Sequence, residues 1–339
     1  MTLLTVDGLT VHFRIRRGLL KGSDDVVHAV DDVSFALAQG ETFALVGESG
    51  CGKSTVARAV LQLVRPTSGS IRFMDQDVAA LKGGARRKML RDAQVVFQDP
   101  YSSLNPRMTV HSLVAEPLRA NTKLSARELE DRVLSLLEMV GLGTQHLWRR
   151  PHEFSGGQCQ RIAIARALAL DPKLVVLDEP TSALDVSVQA RILVLLDELQ
   201  RHLGLAYLFI AHDLAVVQSM AKSIAVMYLG QVAEQGPAAD VFGEPRHPYT
   251  VALLNSSPSP DPEARATMRV LEGDVPSAVR PPAGCRFHPR CPYRMPICER
   301  EYPEPQRVGS RMIACHLPED FDLSSAGATI AREVTAVAH

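Results

Sequence analysis

The chain has 339 residues, of which 46% are hydrophobic, so it is long enough to bury at least one sizeable core and to form two domains. Its 37 Lys and Arg residues nearly balance its 38 Asp and Glu residues, which argues against a nucleic-acid partner or an anionic lipid surface. The longest apolar runs, such as residues 205–211, are far shorter than the roughly 20 residues of a membrane-spanning helix, and the N-terminus lacks the pattern of a signal peptide. We therefore expect a cytoplasmic protein that does not cross a membrane by itself.

The first strong elements are a strand, a glycine-rich loop and a helix, in that order. Residues 42–47 predict a short apolar strand, and residues 53–64 predict a helix that Pro66 stops. The loop between them reads GESGCGKST. Its glycines let successive N–H groups face phosphate oxygens, while Lys53 reaches the terminal phosphates and Ser54 offers a hydroxyl to Mg²⁺. This order of elements is the context that a phosphate-binding loop requires.

Strand and helix patterns alternate through the next part of the chain. Apolar residues at helical spacing predict an amphipathic helix that ends at Gly141. Residues 173–180 then predict a buried strand, residues 187–204 a helix, and residues 206–213 another strand. Buried strands separated by helices imply a mostly parallel sheet covered on both faces, which is an α/β fold.

The composition changes near residue 236. From Gly236 to Pro318 the chain is rich in proline, which predicts an irregular extension of the α/β domain. The last residues, from about Ser324, are small and weakly patterned. We expect a nucleotide-binding domain at 1–235, an extension at 236–323 and a disordered tail at 324–339.

Two carboxylates follow one of the predicted strands. Asp178 ends the run VVLDEP, where a nucleoside triphosphatase places the carboxylate that holds its metal. Glu179 comes next, in a position to polarise a water for attack on the γ-phosphate. Together with the glycine-rich loop, this pair predicts hydrolysis of a nucleoside triphosphate.

A second anion-binding end lies in the stretch EFSGGQCQ. Ser155, Gly156, Gly157 and Gln158 expose donors at the start of a long helix, about 100 residues after the first loop. One nucleotide does not need two such ends from one chain. We therefore expect two subunits to pair, so that the SGGQ helix of one closes on the phosphates held by the other.

Six motifs, in order, resemble those of the nucleotide-binding subunit of an ABC transporter over about residues 1–235. They are GESGCGKST (Walker A), VVFQDP (Q-loop), FSGGQ (signature), VVLDEP (Walker B), SALD (D-loop) and IAHD (switch). The resemblance implies a P-loop NTPase fold of the ABC type. Such a fold has a RecA-like core, an antiparallel β subdomain and a helical subdomain, which we expect at about residues 100–170.

The resemblance also implies roles for individual residues. Glu179 would be the catalytic base, Gln98 would sense the metal and the attacking water while contacting a membrane partner, and His212 would bind the γ-phosphate. Mg²⁺ would lie near Ser54, Gln98 and Asp178, and the D-loop would include Ser182 and Asp185. The ATP phosphates would lie in the Walker A loop, formed by Gly47, Glu48, Ser49, Gly50, Cys51, Gly52, Lys53, Ser54 and Thr55.

Adenine recognition departs from the family pattern. The family usually stacks adenine on an aromatic residue just before the second strand, yet SDDVVHAVDDVSF offers no such residue before Phe35. Two alternatives stay open at this stage. Either His28 substitutes for the aromatic ring, or Phe13 reaches in.

The segment GEPRHPYTVALL, with HPYT at 247–250, resembles the C-terminal extension of ABC ATPases of the oligopeptide, dipeptide and nickel import group. That resemblance implies a peripheral protein on the cytoplasmic face of the cell membrane. Its partners would be a second, identical or related ATPase, two membrane permeases and an extracytoplasmic solute-binding protein. The cargo would be di- or oligopeptides, with nickel or another small solute as the alternative.

A non-transport alternative also stays open, because some ABC ATPases act in DNA repair or on the ribosome. Those proteins usually carry two cassettes in one chain or a long coiled-coil insertion. This sequence has neither.

Four of the six cysteines lie in the extension. Cys285, Cys291, Cys298 and Cys315 are separated by five, six and sixteen residues, gaps wider than those of common zinc motifs. Some ATPases of this import group carry a [4Fe–4S] cluster in such an extension, and the resemblance implies one here. Zinc and free thiols remain the alternatives, and His288 and His316 favour the first of these.

Overall fold

The computed structural model describes residues 1–15, 25–256, 273–319, 321 and 323. The tail expected at 324–339 lies outside these described residues. No helix among them is long and apolar enough to cross a membrane.

The strands and helices of the described chain alternate as the sequence pattern indicates. The strands are β1 (Thr2–Ile15), β2 (Asp25–Ala38), β3 (Thr42–Val46), β4 (Ser68–Phe73), β5 (Gln76–Asp77), β6 (Ala93–Val96), β7 (Leu174–Asp178), β8 (Ala206–Ala211), β9 (Ser223–Tyr228), β10 (Gln231–Pro237), β11 (Gln306–Val308) and β12 (Arg311–Ile313). The α-helices are α1 (Lys53–Val60), α2 (Gly83–Asp92), α3 (Pro100–Ser103), α4 (Val110–Asn121), α5 (Ala126–Met139), α6 (Gly156–Leu168), α7 (Val186–Leu203), α8 (Leu214–Met220), α9 (Ala238–Gly243) and α10 (Pro248–Asn255).

The main sheet has eight strands in the order β11-β12-β10-β9-β3-β8-β7-β6. Its five strands from β9 to β6 are parallel, and the other three pair antiparallel. Alternate residues of β3 enter two different cores, Ala44 and Val46 on one face and Phe43 and Leu45 on the other. All five β3 residues are buried, because helices or a second sheet cover both faces. The predicted mostly parallel, doubly covered sheet is confirmed.

A second sheet of four strands, in the order β2-β1-β4-β5, packs on one face of the main sheet. Its pairs are antiparallel, and its inward side chains, such as Leu4 and Val33, are fully buried. Phe35 of β2 stacks on Phe43 of β3 with ring centroids 4.5 Å apart. This sheet is the antiparallel β subdomain of the expected fold.

Helices α3 to α6 form a layer on the opposite face of the main sheet, within the range where we expected a helical subdomain. Helix α5 begins with a capping box between Ser125 and Glu128, and it buries Val133, Leu136 and Leu137. Its end falls just before Gly141, whose φ is 72°. The predicted amphipathic helix is thereby confirmed.

Helix α1 ends at Val60, earlier than the limit that Pro66 sets. The reason lies in the backbone of Gln62, which has a φ of 56° and therefore leaves the helical region. The N–H groups of Leu63 and Val64 both bond to the carbonyl of Arg58, which closes the helix end. Residues 61–64, expected as helix, form a turn.

The described part of the extension contains more regular structure than its proline content indicates. The hairpin of β11 and β12 joins the edge of the main sheet through β10, where Glu234 pairs with Ile313. Helix α10 begins at Pro248, with the ring of His247 accepting the N–H of Tyr249 at 3.0 Å. The motif HPYT is thus a helix start with its own cap, and it fixes the extension against the nucleotide-binding domain.

Candidate functional site: a nucleotide site at the ends of parallel strands

Glycines shape the Walker A loop because side chains would collide there. A Cβ atom on Gly47 would lie 2.1 Å from the carbonyl oxygen of Met227, and one on Gly52 would lie 2.2 Å from that of Ala29. Both glycines have positive φ, 147° and 109°. The loop therefore packs its backbone directly on the neighbouring chain, immediately after β3 and before α1.

Lys53 lies at the first position of α1 and is only 4% exposed. Its Nζ donates to the carbonyl oxygens of Gly47 at 2.7 Å and Glu48 at 2.9 Å, so the ammonium group is held over the loop by the loop itself. The start of α1 adds its free N–H groups to this positive charge. Lysine and helix start together suit a group of phosphate oxygens.

The metal position predicted from the sequence has two oxygens in place. The Ser54 Oγ donates to the Asp178 Oδ1 at 2.9 Å, which joins the start of α1 to the end of β7. Burial raises the pKa of the Asp178 carboxyl, the Ser54 hydrogen bond opposes this shift, and the negative charge of Glu179 adds to it. The half-buried Asp178 carboxylate would favour a cation at this position.

The residue after Asp178, Glu179, is the meeting point of three polar side chains, its own and those of Gln98 and His212. The Oε2 of Glu179 accepts from the Nε2 of Gln98 at 2.9 Å and lies 3.1 Å from the Nδ1 of His212. Glu179 has a φ of 49°, unusual for a residue other than glycine, and its side chain is 15% exposed. The D-loop residue Ser182 donates its Oγ to the Glu179 carbonyl at 3.1 Å. The carboxylate is thus held between Gln98, which follows β6, and His212, which follows β8.

The signature sequence begins α6. Ser155 is exposed, its Oγ accepts the N–H of Gln158, and the Oε1 of Gln158 accepts the N–H of Ser155 at 3.1 Å. A Cβ atom on Gly157 would lie 2.4 Å from a methyl of Val188, so this glycine allows close packing against α7. Asp185 lies at the N-cap of α7 in the same neighbourhood. Gly156 also packs here, beside Leu184.

Comparison with known families decides what this arrangement is. Residues 30–182 match the family described as "ABC transporter", and residues 233–298 match "Oligopeptide/dipeptide transporter, C-terminal region". The chain is 49% identical to the di/tripeptide transport ATP-binding protein DppF of Pseudomonas aeruginosa, over 94% of this chain and 99% of that protein. It belongs to the ATP-binding subunits of the oligopeptide/dipeptide ABC transporter family.

Other relatives agree with this assignment. The oligopeptide transport ATP-binding protein OppF of Salmonella typhimurium is 47% identical over 92% of this chain and 95% of that protein. A solved dimeric ATP-binding cassette, in a post-hydrolysis state bound to ADP and Pi, is 29% identical with a TM-score of 0.61, covering 70% of this chain and 99% of that one. The fold is therefore that of an ABC-type ATP-binding cassette, and the chain is an ABC transporter ATPase.

The two candidates for adenine contact have different surroundings in this ABC ATPase. His28 lies beside His12, with ring centroids 4.3 Å apart, and its Nδ1 is 3.4 Å from the Oδ2 of Asp31. Asp31 also bonds to His12 and to Arg286, and these contacts keep the pKa of its carboxyl low although burial opposes them. Phe13, on β1, is 40% exposed. The side chain of His28 is 33% exposed, so the two candidates differ mainly in the ion pair that engages His28.

The extension reaches the Walker A loop, which sequence reasoning missed. The N–H of Glu48 donates to the hydroxyl of Tyr249 at 2.9 Å, and the guanidinium of Arg290 binds both carboxylate oxygens of Glu48, at 2.6 and 3.0 Å. The motif HPYT indicated the family from the sequence, and the structure shows that its tyrosine, Tyr249, also contacts the Walker A loop. Arg290 lies among the cysteines of the extension, where no local sequence pattern links it to Glu48.

The four cysteines of the extension line one cavity, together with His288 and His316. Cys298 is buried and the other three are half-buried. Burial raises the pKa values of Cys285, Cys291 and Cys315, to about 12 for Cys291 and about 11 for Cys315. Among the described residues, three ligand atoms all come within 4.8 Å of one another only at His12, His28 and Asp31, so no three of the cysteine sulfurs lie that close together.

Cys51 and Cys159 are buried apart from this cavity. Burial raises the pKa of both thiols, to about 11 for Cys159. They pack as small side chains within the Walker A loop and α6.

Proposed function

We propose that this chain hydrolyses ATP to energise the import of di- or oligopeptides through an ABC importer. The observation that carries the proposal is the convergence of Gln98, Glu179 and His212 beside the Ser54 and Asp178 pair. Relatives named for di/tripeptide and oligopeptide transport, together with the matched C-terminal region, support a peptide cargo. The extracytoplasmic solute-binding protein and the two permeases follow from that assignment.

The residues divide the chemistry between binding and proton handling. The Walker A backbone and Lys53 bind the phosphates, and Ser54 and Asp178 would hold Mg²⁺, which would neutralise charge on the phosphates. Glu179 polarises a water for attack on the γ-phosphate, and Gln98 and His212 fix the direction of its carboxylate. The hydrogen bonds of Glu179 to both neighbours support this division.

The site is completed by a second subunit, identical or related. Ser155 is exposed at a helix start, so it is available to the γ-phosphate of a partner. The dimeric ATP-binding cassette among the solved relatives supports such pairing. In this arrangement Gly156, Gly157 and Gln158 face the same phosphate, and closure of the pair drives the permeases through the neighbourhood of Gln98 at the cytoplasmic face of the membrane.

Adenine stacks on Phe13 in this proposal. His28 is engaged by Asp31, whereas the exposed ring of Phe13 offers an apolar face. Replacing Phe13 by Ala is expected to weaken ATP binding about tenfold, within the roughly 1–3 kcal/mol that a base stacked on an aromatic ring contributes. Replacing His28 by Ala is expected to weaken it less, and the reverse order contradicts the choice.

Cys285, Cys291, Cys298 and Cys315 hold a [4Fe–4S] cluster in this proposal. Four thiols that line one cavity meet the requirement of four thiolate ligands. A single zinc ion binds sulfur at about 2.3 Å and draws its ligands closer together than a cluster of four irons does. Protein purified without oxygen should be brown and contain iron and sulfide; colourless protein with one zinc per chain contradicts the cluster.

The transport function is tested by reconstitution. The chain is combined with two permease subunits and a solute-binding protein of a peptide importer, in proteoliposomes with ATP inside. We expect uptake of labelled di- or oligopeptides that Glu179→Gln abolishes and the exposed-glutamate control Glu198→Gln does not. ATP-dependent uptake of nickel but not of peptides overturns the cargo, and stable association with nucleic acid instead of permeases overturns transport.

A further inference from the structure

Arg290 joins the segment that carries the four cysteines (residues 285–315) to the Walker A loop by an ion pair with Glu48. It directly precedes Cys291, its side chain is 4% exposed, and its two terminal nitrogens meet the two carboxylate oxygens of Glu48. The ring of Tyr228 lies 5.8 Å from its guanidinium carbon. Such a planar, two-pronged pair fixes direction as well as distance.

Glu48 is the residue through which this contact acts on the loop. Its carbonyl oxygen accepts from the Nζ of Lys53 at 2.9 Å, and its N–H is held by Tyr249. Its carboxylate has the same sign of charge as the phosphates that bind next to it. Arg290 neutralises that charge and holds it in one position, so loss of Arg290 would leave an unpaired anion beside the phosphates.

A second arginine makes a parallel connection on the other side of the same segment. Arg286 directly follows Cys285, and it donates to the carbonyl of Leu229 and to Asp31. Gly230, which follows Leu229 in the chain, donates its N–H to the carbonyl of Cys51 at 2.8 Å. Residues adjoining two of the four cysteines therefore reach the loop, Arg290 directly and Arg286 through Leu229 and Gly230.

We propose that Arg290 is a positioning residue for the Walker A loop, and that the four-cysteine site sets ATP affinity through it. The inference rests on the proposed role of residues 47–55 as the phosphate site. A group bound to the four cysteines fixes the short segment between Cys285 and Cys291, and with it Arg290. When that group is lost, Arg290 is released, Glu48 is unpaired, and ATP binds less tightly.

The first test compares ATP dissociation constants by titration calorimetry on the full chain. Arg290→Met should raise the constant roughly tenfold, in line with loss of a charge-assisted pair. Arg294→Met, the same change at an exposed position of the same segment, should leave it unchanged. The double variant Glu48→Gln with Arg290→Met should recover most of the affinity, because the uncompensated anion is gone.

Steady-state kinetics separate positioning from a merely structural role. In Arg290→Met the KM for ATP should rise by a larger factor than kcat falls. If this variant does not fold, Arg290→Lys replaces it; a lysine keeps the charge without the two-pronged geometry, so an intermediate loss is expected. Unchanged affinity in both variants overturns the proposal, and so does a loss that the double variant does not recover.

The second test removes the group from the cysteines. Metal or iron is extracted with a chelator under argon, and ATP affinity and amide hydrogen exchange of residues 47–53 are measured before and after. Wild-type protein should lose affinity and exchange faster there, whereas the double variant should lose little affinity. An unchanged wild type overturns the link, while absence of ATP binding in every form points instead to failure of the proposed phosphate site.

Discussion

Acidification should loosen α10 through one buried histidine. His247 is 2% exposed and caps α10 through a ring nitrogen that accepts the Tyr249 N–H. Burial lowers its pKa from 6.5 to about 4. Above pH 6.5 the ring is neutral both when α10 is packed as in the structure (the closed form) and when α10 is locally unfolded (the open form). Between pH 6.5 and 4 only the open form takes up a proton, so the stability of the closed form falls as the pH falls.

The size of the effect follows from the two pKa values. Each pH unit in this window costs about 1.4 kcal/mol, so the full loss approaches roughly 3 kcal/mol at pH 4. The buried carboxyl of Glu234, which accepts the His247 N–H, has its pKa raised by burial and contributes with the opposite sign. Because wild type and a His247 variant both contain Glu234, the difference between them isolates the contribution of His247 to the pH dependence.

The assay is native-state hydrogen exchange of the α10 amides at pH 7, 6 and 5, corrected for intrinsic exchange. The comparison is wild type against His247→Asn, since Asn accepts the capping N–H but does not titrate. Wild type should lose roughly 2 kcal/mol more opening free energy than the variant between pH 7 and pH 5. Equal pH dependence in the two proteins refutes the reasoning.

Two further predictions concern the nucleotide site. Tyr249→Phe removes the hydroxyl that accepts the Glu48 N–H, so the ATP dissociation constant should rise roughly fivefold, the equivalent of about 1 kcal/mol, in a calorimetric titration; an unchanged constant shows that the contact does not shape the loop. Ser54→Ala removes the hydroxyl beside Asp178, so added Mg²⁺ should no longer strengthen ATP binding, whereas wild type responds. A variant that still gains affinity with Mg²⁺ contradicts the metal position.

Local patterns predicted much of the fold because strands and helices of the core carry their own periodicity. The run from Leu174 to Leu177 is apolar because both faces of β7 are covered, and this pattern is visible in the sequence of the strand alone. Short elements could not be predicted, because they form only through contacts with distant parts of the chain. Each strand of the β11 and β12 hairpin has three residues, which form a strand only because the edge of β10 is available.

The nucleotide site likewise has features that a local stretch of sequence predicts and contacts that it does not. The Walker A glycines and Lys53 lie within one short stretch, so their joint role was readable from sequence. The contacts of Glu48 were not, because Tyr249 is 201 residues away and Arg290 is 242 residues away. No local pattern encodes such pairs. For adenine the sequence left His28 and Phe13 open, and the choice of Phe13 is our proposal from the surroundings of the two side chains.

In the proposed mechanism Glu179 is the base of an ATPase, and the groups that bind the nucleotide are separate from it. This mechanism is tested most directly by steady-state ATP turnover and ATP binding in Glu179→Gln, with Glu198→Gln as the control. We expect turnover to fall at least about 100-fold while ATP still binds, because a general base contributes this much to rate but little to affinity. Turnover at the wild-type rate in Glu179→Gln would contradict the account.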